Sequence, residues 1–496
     1  MTDFSHAFHA RARRIPFLGV GLSVDIYSPN VLDLSAALNR HHLSVGYLEI
    51  FHAHAQALRT VRERLPAISM VYHAEGLWFT QPNWHESSLG AIRLESIARE
   101  LELLDAWWMN QECASKEIAG FPFGTYVPPL FTEESARLTA QQVWKAQEML
   151  DARQWGKQAS PLVLLEVPPL TYFAVGDLSY AEFFQQVTHW APCGLVLDLG
   201  HVWTAFRYSR AWTTQTFEDF FDAFLEVFPL ERVVQIHMAG LACHPTVTVN
   251  TKQSFGGGSP LWIDSHADPI PQELFWALGK VLLEDRLYHL KGLALEVDNK
   301  EISLICRELK RVQEQFGGNL DRIRDRQSVA WECAIGNDWF QPEIEEGNSL
   351  LFDCPELASQ YVEYVSLLSG ETSEKLTDML AISSEVKEGI HVYASQYLSH
   401  EILCWGGDIS DMFPRSCEAL KRDGLRLEQF PEFWFARPWT GEELEYDFFL
   451  MKINRFVEYI RFVLPQGVPV AVQEAMGLRE GYAWSCREIG LSEEVA

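Results

Sequence analysis

The sequence predicts an α/β fold, a (β/α)8 TIM barrel, followed by a C-terminal domain that is mainly helical or α+β. Eight short apolar segments rich in Val, Ile and Leu recur within the first 300 residues, and amphipathic helical segments lie between them. Strands that alternate with helices form parallel sheets, and eight such units over this length are typical of a closed barrel. A doubly wound open sheet with the same alternation is the second interpretation.

The predicted strands are identified by their apolar composition and by turn or helix signals on both sides. In chain order they are Leu18–Asp25, Tyr47–His54, Ile68–Ala74, Ala106–Glu112, Leu162–Val167, Gly194–His201, Val233–Gly240 and Gly292–Asp298. The helices predicted between them include Ser88–Leu104, Tyr180–His189, Thr216–Val227 and Gln272–Leu283, and Glu301–Gln315 completes the eighth unit.

The predicted barrel domain covers residues 1–325. Gly317-Gly318-Asn319 is expected to break the last helix, and the polar stretch over residues 326–344 is interpreted as a linker. Residues 345–496 contain helical segments and aromatic patches without the repeating strand motif. They are predicted to form a separate C-terminal accessory domain.

The net charge of −28 is unevenly distributed, because residues 331–496 carry −18 and the first 330 residues carry only −10. Bare nucleic acid is not expected as a partner, since phosphate contacts need basic surface. The acidic excess lies mostly in the C-terminal domain, where it would most easily attract a basic peptide segment.

The chain has no segment of about 18 apolar residues, so neither a transmembrane helix nor a membrane partner is expected. Its start, up to Arg14, lacks the apolar region of a signal peptide. Nine cysteines occur without regular spacing, which argues against a disulfide framework. A reducing, cytoplasmic location is therefore predicted.

Imidazole and carboxylate side chains recur at the carboxyl ends of the predicted strands, where the active sites of TIM barrels lie. Taken singly, such residues more often cap a helix or form an ordinary hydrogen bond. Together with an Asp-x-His pair before the eighth strand, these side chains are more numerous than the ligands that one metal ion needs. The candidate ligands are His73, Glu166, Asp198, His201, His237, Asp264, His266 and Glu296.

Mixed imidazole and carboxylate ligands without thiolate suit iron, manganese or zinc, and eight candidates suit more than one ion. Glu112, at the end of the fourth strand, and His52 and His54, at the end of the second, are additional candidate ligands. The sequence contains no nucleophile elbow and no complete dinucleotide fingerprint. No catalytic residue beyond the metal ligands and no organic cofactor is therefore predicted.

These residues resemble the motifs of the multinuclear non-haem iron-dependent oxidases, a family of TIM-barrel enzymes of the methanobactin-biosynthesis type. The resemblance implies two or three iron ions in mixed Fe2+ and Fe3+ states, with dioxygen as co-substrate. It also implies oxidation of a cysteine, or of a residue near it, in a ribosomally made precursor peptide. The matching segments agree in order and spacing and are Gly19–Leu22, Tyr47–Ile50, Val71–His73, Leu164–Glu166, Leu195–Asp198, Ile236–Gly240, Ile263–Asp268 and Leu295–Glu296.

The resemblance also implies which residues bind the metals, and it covers seven of the eight candidates directly. His201 is the eighth, and it lies where many relatives have Asn. The fourth strand departs from the family, because Asn110-Gln111-Glu112 replaces a motif that contains His in relatives. The second strand departs as well, because Glu49-Ile-Phe-His52-Ala-His54 replaces the usual Glu-Val-His-x-Glu-Asn. Either Glu112 replaces that histidine as a metal ligand, or the metal position on the fourth strand is weakened or empty.

Several interpretations of the function remain open from the sequence. A divalent-metal isomerase or phosphodiesterase of the xylose-isomerase-like type also has His, Asp and Glu at its strand ends, but it would work without oxygen. A non-catalytic scaffold that has lost its metals is the third interpretation. Relatives typically need a separate protein that presents the peptide. The fused C-terminal domain either replaces that protein or only packs against the barrel.

Overall fold

The computed structural model describes a defined part of the chain, to which all structural statements refer. The described residues are 3–51, 53, 55–82, 84, 88–156, 160–169, 175–209, 211–244, 261–332, 355–369, 380, 382, 386, 387, 389, 390, 393, 398–404, 407–436 and 448–488.

The strands of this part form one closed barrel and two hairpins. In chain order they are β1 (Gly19–Val24), β2 (Tyr47–Phe51), β3 (Ser69–His73), β4 (Trp108–Glu112), β5 (Ser115–Ile118), β6 (Phe121–Val127), β7 (Leu162–Glu166), β8 (Gly194–Asp198), β9 (Val233–Met238), β10 (Leu241–His244), β11 (Leu261–Asp264) and β12 (Gly292–Glu296).

The barrel contains eight parallel strands in the order β1-β2-β3-β4-β7-β8-β9-β12, and it closes because β1 pairs with both β2 and β12. Each strand matches one predicted from the sequence, so the TIM barrel is confirmed and the open sheet is excluded. Strand β8 ends earlier than predicted, because Asp198 accepts a hydrogen bond from the His201 backbone and caps the next helix.

Ten helices are described in the barrel region and seven beyond it. The first ten are α1 (Asp3–Ala12), α2 (Val31–Arg40), α3 (Ala55–Arg64), α4 (Ser88–Leu104), α5 (Glu133–Asp151), α6 (Tyr180–Trp190), α7 (Leu199–Tyr208), α8 (Phe217–Val227), α9 (Gln272–Val281) and α10 (Ile302–Glu332). The others are α11 (Pro355–Ser369), α12 (Ser399–Cys404), α13 (Ile409–Met412), α14 (Pro414–Arg422), α15 (Phe430–Ala436), α16 (Phe448–Val463) and α17 (Val468–Glu488).

Helix α10 is longer than the sequence predicts, and the expected break at Gly317-Gly318-Asn319 is wrong. A glycine inside a helix costs about 1 kcal/mol relative to alanine. Phe316, Leu320 and Ile323 recur at helical spacing and bury their side chains in the barrel core, which outweighs that cost. Residues 326–332 of the predicted linker are therefore helical, and residues 333–344 lie outside the described residues.

The amino-terminal end of the barrel is filled by aromatic side chains. Phe8 of α1 packs in one apolar cluster with Tyr47 and Trp108. A Cβ atom on Gly21 would lie 2.5 Å from the Tyr47 ring, and one on Gly292 would lie 2.6 Å from its hydroxyl. Glycine at both positions makes room for this ring inside the barrel.

Two hairpins that the sequence did not predict extend from the carboxyl end of the barrel. The first joins β5 and β6 through Ala119 and Gly120, whose φ values of 48° and 76° suit the tight turn of a hairpin. The second pairs β10 with β11 and brings Leu241 opposite Asp264. The hairpins thus add short antiparallel segments beside the carboxyl ends of β4 and β9.

The C-terminal region is mainly helical in its described part, as predicted. Helix α11 packs against the first hairpin, where Ile118, Phe123 and Tyr361 belong to one buried cluster. Helices α12 to α17 bury a second cluster around Trp434 and Phe456. No helix of the described residues is long and apolar enough to cross a membrane.

Candidate metal centre

Four buried side chains converge at the carboxyl end of the barrel. Glu166 ends β7, Asp198 ends β8, His237 lies near the end of β9, and Glu296 ends β12. One ligand atom of each lies within 4.8 Å of the ligand atoms of the other three. The barrel produces this arrangement, because its register places Asp198 beside His237 and all strand ends meet on one edge. The four residues were predicted as ligands, and they have the composition and spacing of a metal site.

Three more of the predicted residues adjoin this cluster on one side. His201 Nε2 lies 2.9 Å from Asp264 Oδ2, and His201 Nδ1 lies 2.8 Å from the Val167 carbonyl oxygen. His266 Nε2 lies 3.4 Å from Asp264 Oδ2 and 3.6 Å from Glu296 Oε2. The second hairpin therefore joins the Asp-x-His pair to the strand ends.

The eighth predicted residue, His73, adjoins the cluster on the other side. Its Nε2 atom lies 3.5 Å from Glu112 Oε1 and 3.5 Å from Glu166 Oε2. The Tyr126 hydroxyl of β6 donates a hydrogen bond of 2.9 Å to Glu112 Oε2. Glu112 of the divergent fourth strand thus lies within the cluster, whereas His52 and His54 lie outside the described residues.

Glu166 is the central carboxylate of the arrangement. Its oxygens lie 3.1 Å from His237 Nδ1, 3.6 Å from His201 Nδ1 and 3.5 Å from His73 Nε2. The Asn110 side-chain amide donates a hydrogen bond to Glu166 Oε2. One carboxylate therefore contacts three imidazoles, and an amide donor holds its orientation.

A fully buried carboxylate, Glu49, lies on the far side of His237. Glu49 Oε2 is 2.7 Å from His237 Nε2 and accepts a hydrogen bond of 2.8 Å from the Gln235 side chain. Gln235 also donates to the Tyr47 hydroxyl and accepts a hydrogen bond from the Trp108 indole. This network leaves Nδ1 of His237 facing Glu166 and Glu296.

The surrounding charges shift the pKa values of the site residues strongly. Burial favours neutral imidazole, yet the charges of Glu112 and Glu166 raise the pKa of His73 to about 10. Burial raises the pKa of Asp198 well above its usual value, and the negative charges of Glu296 and Asp264 add to the shift. Against the effect of burial, the His237 imidazole holds the pKa of Glu166 well below its usual value. The site thus holds more negative charge than its side chains neutralise without bound cations.

Three buried carboxylate oxygens of the predicted ligands have no hydrogen-bond partner among the described residues. They are Asp198 Oδ2, Asp264 Oδ1 and Glu296 Oε2. A buried polar atom without a partner is costly, and a coordinated metal ion removes that cost. Oxygen atoms of this kind beside imidazole nitrogens fit iron, manganese or zinc.

The sequence analysis missed several residues that contact the predicted ligands. Glu49 lies 2.7 Å from His237, and Gln235 donates a hydrogen bond to Glu49. Asn110 donates to Glu166, and Asp298 Oδ2 lies 3.1 Å from His266 Nδ1. Glu49 had a detectable signal, because Tyr47 and Glu49 alternate with apolar residues and a charge inside an apolar strand needs a partner. Asn110 and Gln235 are uncharged, and their patterns alone do not distinguish them from ordinary barrel residues.

Curated relatives and solved structures resemble this chain in part. A UPF0276 protein of Caulobacter vibrioides is 24% identical over 186 residues, which cover 38% of this chain and 54% of that protein. A UPF0276 protein of Rhizorhabdus wittichii is 26% identical over 283 residues, which cover 56% of this chain and 84% of that protein. The matched region of this chain thus spans about half the length of the Caulobacter relative.

Solved structures resemble this chain more distantly. Endonuclease IV from Thermus thermophilus is 20% identical with a TM-score of 0.35, and the match covers 60% of this chain and 99% of that protein. A D-tagatose 3-epimerase-like protein is 13% identical with a TM-score of 0.36, and the match covers 62% of this chain and 98% of that protein.

A family model matches more than half of the chain. Residues 17–316, which contain all eight strands of the barrel and every described residue of the candidate metal centre, match the model for the RiPP precursor modification enzymes MbnB/TglH/ChrH. The chain belongs to the MbnB/TglH/ChrH family of RiPP precursor modification enzymes.

Proposed function

We propose that this protein is a multinuclear non-haem iron oxidase. It uses dioxygen to modify a cysteine, or a residue near it, in a ribosomally synthesised peptide. The observation that supports this most is the cluster of four imidazoles and a larger number of carboxylates at the carboxyl end of the barrel, in which His73, His201 and His237 are buried. The unpartnered oxygens of Asp198, Asp264 and Glu296 are suited to bind cations.

The proposed ligands divide into three groups that share carboxylates. Glu166, Asp198, His237 and Glu296 form the central group. His201, Asp264 and His266 form the second group, with Glu296 between them and His237. His73 and Glu112 form the third, with Glu166 between them and His237. The central and second groups together suit two iron ions. The third group suits a third iron ion, and the ions would be in mixed Fe2+ and Fe3+ states.

Bound iron would supply redox chemistry with dioxygen and a position for the anionic sulfur of a cysteine substrate. The protein residues hold and orient the ligands. Glu49 faces Nε2 of His237, Asp298 faces Nδ1 of His266, and Asn110 donates to Glu166. Such partners fix the orientation of a metal ligand and increase its basicity. The proposed reaction needs no protein nucleophile.

The C-terminal region is proposed to help present the peptide. Its helix α11 packs on the hairpin β5–β6, which begins three residues after the proposed ligand Glu112. The region therefore lies beside the carboxyl end of the barrel. We also propose a cytoplasmic location, since Cys113, Cys193 and Cys306 are buried as free thiols, as is usual in a reducing compartment.

Metal analysis and oxygen uptake test this proposal directly. The full chain is expressed with added iron, purified without oxygen and analysed for bound metals by mass spectrometry. Oxygen uptake and peptide mass are then measured with a cysteine-containing peptide encoded beside its gene. We expect two or three irons per chain, iron-dependent oxygen uptake and a mass change at or near the cysteine.

A matched pair of variants provides the control for this experiment. Glu166→Gln should abolish most iron binding, whereas Glu226→Gln, at an exposed position of α8, should leave it unchanged. Binding of zinc alone, without iron-dependent oxygen uptake, contradicts the oxidase. Oxygen-independent turnover with magnesium or manganese would support the isomerase or phosphodiesterase class instead.

A further inference from the structure

A cavity of about 370 Å³ lies between the barrel and helix α11, apart from the candidate metal centre. Its walls come from the loop after β3, the turn of the hairpin β5–β6 and one face of α11. Small-molecule sites in proteins range over about 300–1,000 Å³, so this cavity suits a single side chain or a short segment. The residues that matter for the argument are Trp78, Pro82, Trp84, Glu117, Tyr361 and Val362.

The walls are largely aromatic or aliphatic, and Glu117 is the charged residue among those that line the cavity. Trp78 and Trp84 are almost fully buried, whereas Val362 is 57% exposed and marks the rim. The Glu117 carboxylate has no hydrogen bond or ion pair within the part of the chain that the structure describes. Burial also raises the pKa of Glu117. A partly buried carboxylate of this kind gains from a cation that enters the cavity.

An ion pair elsewhere explains why the neighbouring lysine does not neutralise Glu117. The Lys116 ammonium group pairs with the Glu75 carboxylate and lies 4.3 Å from the centre of the Tyr126 ring. The pairing of β5 with β6 is irregular between Ser115 and Glu117, so the two residues are not assigned to one face of the strand. The lysine nearest in sequence is therefore already engaged by another carboxylate.

We propose that this cavity binds the cationic side chain of a lysine or arginine of the peptide substrate. Aromatic faces attract such cations, and the aliphatic part of the side chain packs on apolar walls. The net charge of −28 favours a basic peptide segment as well. The inference rests on the proposed function only in taking the ligand to be part of a peptide substrate. It does not depend on the reaction that the metal centre performs.

The cavity also lies within reach of the candidate metal centre. Glu117 follows Glu112 by five positions, so their Cα atoms lie at most about 18 Å apart. An extended peptide segment of about five or six residues covers a distance of this size. The cavity would set which position of the peptide enters the site.

Disulfide tethering tests the cavity without the natural peptide. Val362→Cys introduces a thiol at the rim of the full chain. The thiolate attacks cystamine, forms a mixed disulfide with one cysteamine and releases the other as a thiol. The same reaction is run with the neutral 2-hydroxyethyl disulfide, both in competition with 2-mercaptoethanol. Capture at this position is measured by mass spectrometry of digested protein, which separates it from capture at native cysteines.

We expect about fivefold stronger capture of the cationic probe, which corresponds to about 1 kcal/mol. The preference should vanish when Glu117→Gln is added to Val362→Cys. It should persist when Glu356→Gln is added instead, since Glu356 is an exposed residue of α11, the helix that carries Val362. Leu283→Cys, at a 63% exposed position far from the cavity, measures the general attraction of the acidic chain for a cation. Thermal unfolding checks that every variant is folded.

Equal capture of the two probes, or a preference that survives Glu117→Gln, would overturn the proposed subsite. Tethering needs neither iron nor oxygen, so its outcome is independent of the oxidase. Cation-selective capture together with absent oxygen uptake would retain the subsite and reject the proposed reaction. Iron-dependent turnover without selective capture would support the proposed reaction and reject the subsite.

Discussion

His237 presents Nε2 to the buried carboxylate of Glu49 at a distance of 2.7 Å. Its other ring nitrogen faces Glu166 and Glu296, at 3.1 Å and 3.4 Å. The imidazole therefore lies between a carboxylate that belongs to the interior of the barrel and two carboxylates of the candidate metal centre. Carboxylate–histidine–metal arrangements have this form, and the carboxylate then fixes which nitrogen is free to bind the ion.

Replacement of Glu49 tests this relationship. Glu49→Gln removes the negative charge beside Nε2 but keeps a side chain of nearly the same size. Loss of such a partner typically weakens metal binding by about 10- to 100-fold. We expect iron affinity, measured anaerobically by competition with a chelator, to fall by this amount while thermal unfolding shows a folded protein. Glu226→Gln serves as the control, and unchanged affinity in Glu49→Gln would contradict the assignment.

Glu112 gives a separate prediction, because it lies at the edge of the cluster. Glu112→Ala should lower the iron content by about one ion per chain and leave the central group occupied, since His73 then loses the carboxylate partner that it does not share with the central group. Tyr126→Phe removes the hydroxyl that donates to Glu112 and should weaken the same ion without abolishing it. Iron content measured against chelator concentration distinguishes the two variants. Full iron content in Glu112→Ala would show that Glu112 is not a ligand.

Tyr361 links helix α11 to the barrel, and its removal should affect stability. Its hydroxyl accepts a hydrogen bond from the Leu130 backbone at 3.3 Å and lies 2.9 Å from the Ser135 hydroxyl, with all groups buried. Tyr361→Phe leaves these partners unsatisfied, which should cost about 1–3 kcal/mol in free energy of unfolding. Denaturant unfolding measures the loss, and Tyr288→Phe, at a 42% exposed position, should change stability much less.

His289 should make stability depend on pH at the amino-terminal end of the barrel. Burial, together with the charges of nearby His9 and Lys291, lowers the pKa of His289 from its usual 6.5 to about 2. The folded state thus keeps this imidazole neutral where the unfolded state binds a proton. Its contribution is fully present above pH 6.5 and is lost as the pH falls, by about 2 kcal/mol at pH 5.

The variant His289→Asn isolates this effect from other titrating groups. The difference in unfolding free energy between pH 7 and pH 5 should be about 2 kcal/mol smaller in this variant than in the original protein. His189→Asn, at an exposed position of α6, should retain the full difference. Equal pH dependence in the original protein and His289→Asn would contradict the prediction.

The barrel was predictable because its pattern repeats, whereas the additions to it do not repeat. Each barrel strand is a short apolar segment such as Leu162–Glu166, buried on both faces, and eight of them recur. The hairpin strands Ser115–Ile118 and Leu241–His244 are only four residues long and mix apolar with polar side chains. Helix α10 continues through Gly317 because tertiary packing outweighs the low helix propensity of glycine. Local sequence patterns do not reveal such packing.

The candidate site was partly predictable for a similar reason. Parallel strands place their carboxyl ends together, so Glu166, Asp198 and Glu296 follow from one rule. The contacts around them depend on side-chain directions inside the closed barrel. Glu49 reaches His237 across the interior only because of the register of β2, β9 and β12. Tyr126 reaches Glu112 from a hairpin that the sequence did not reveal.

The buried cluster that joins α11 to the first hairpin has an evolutionary consequence. Ile118 and Phe123 come from the hairpin, Leu138 from α5, and Tyr361 and Tyr364 from α11. A recombination that exchanged the C-terminal region alone would leave these barrel side chains without their partners. The hairpin and the C-terminal region are therefore expected to be inherited as one unit, with matched changes in both across lineages.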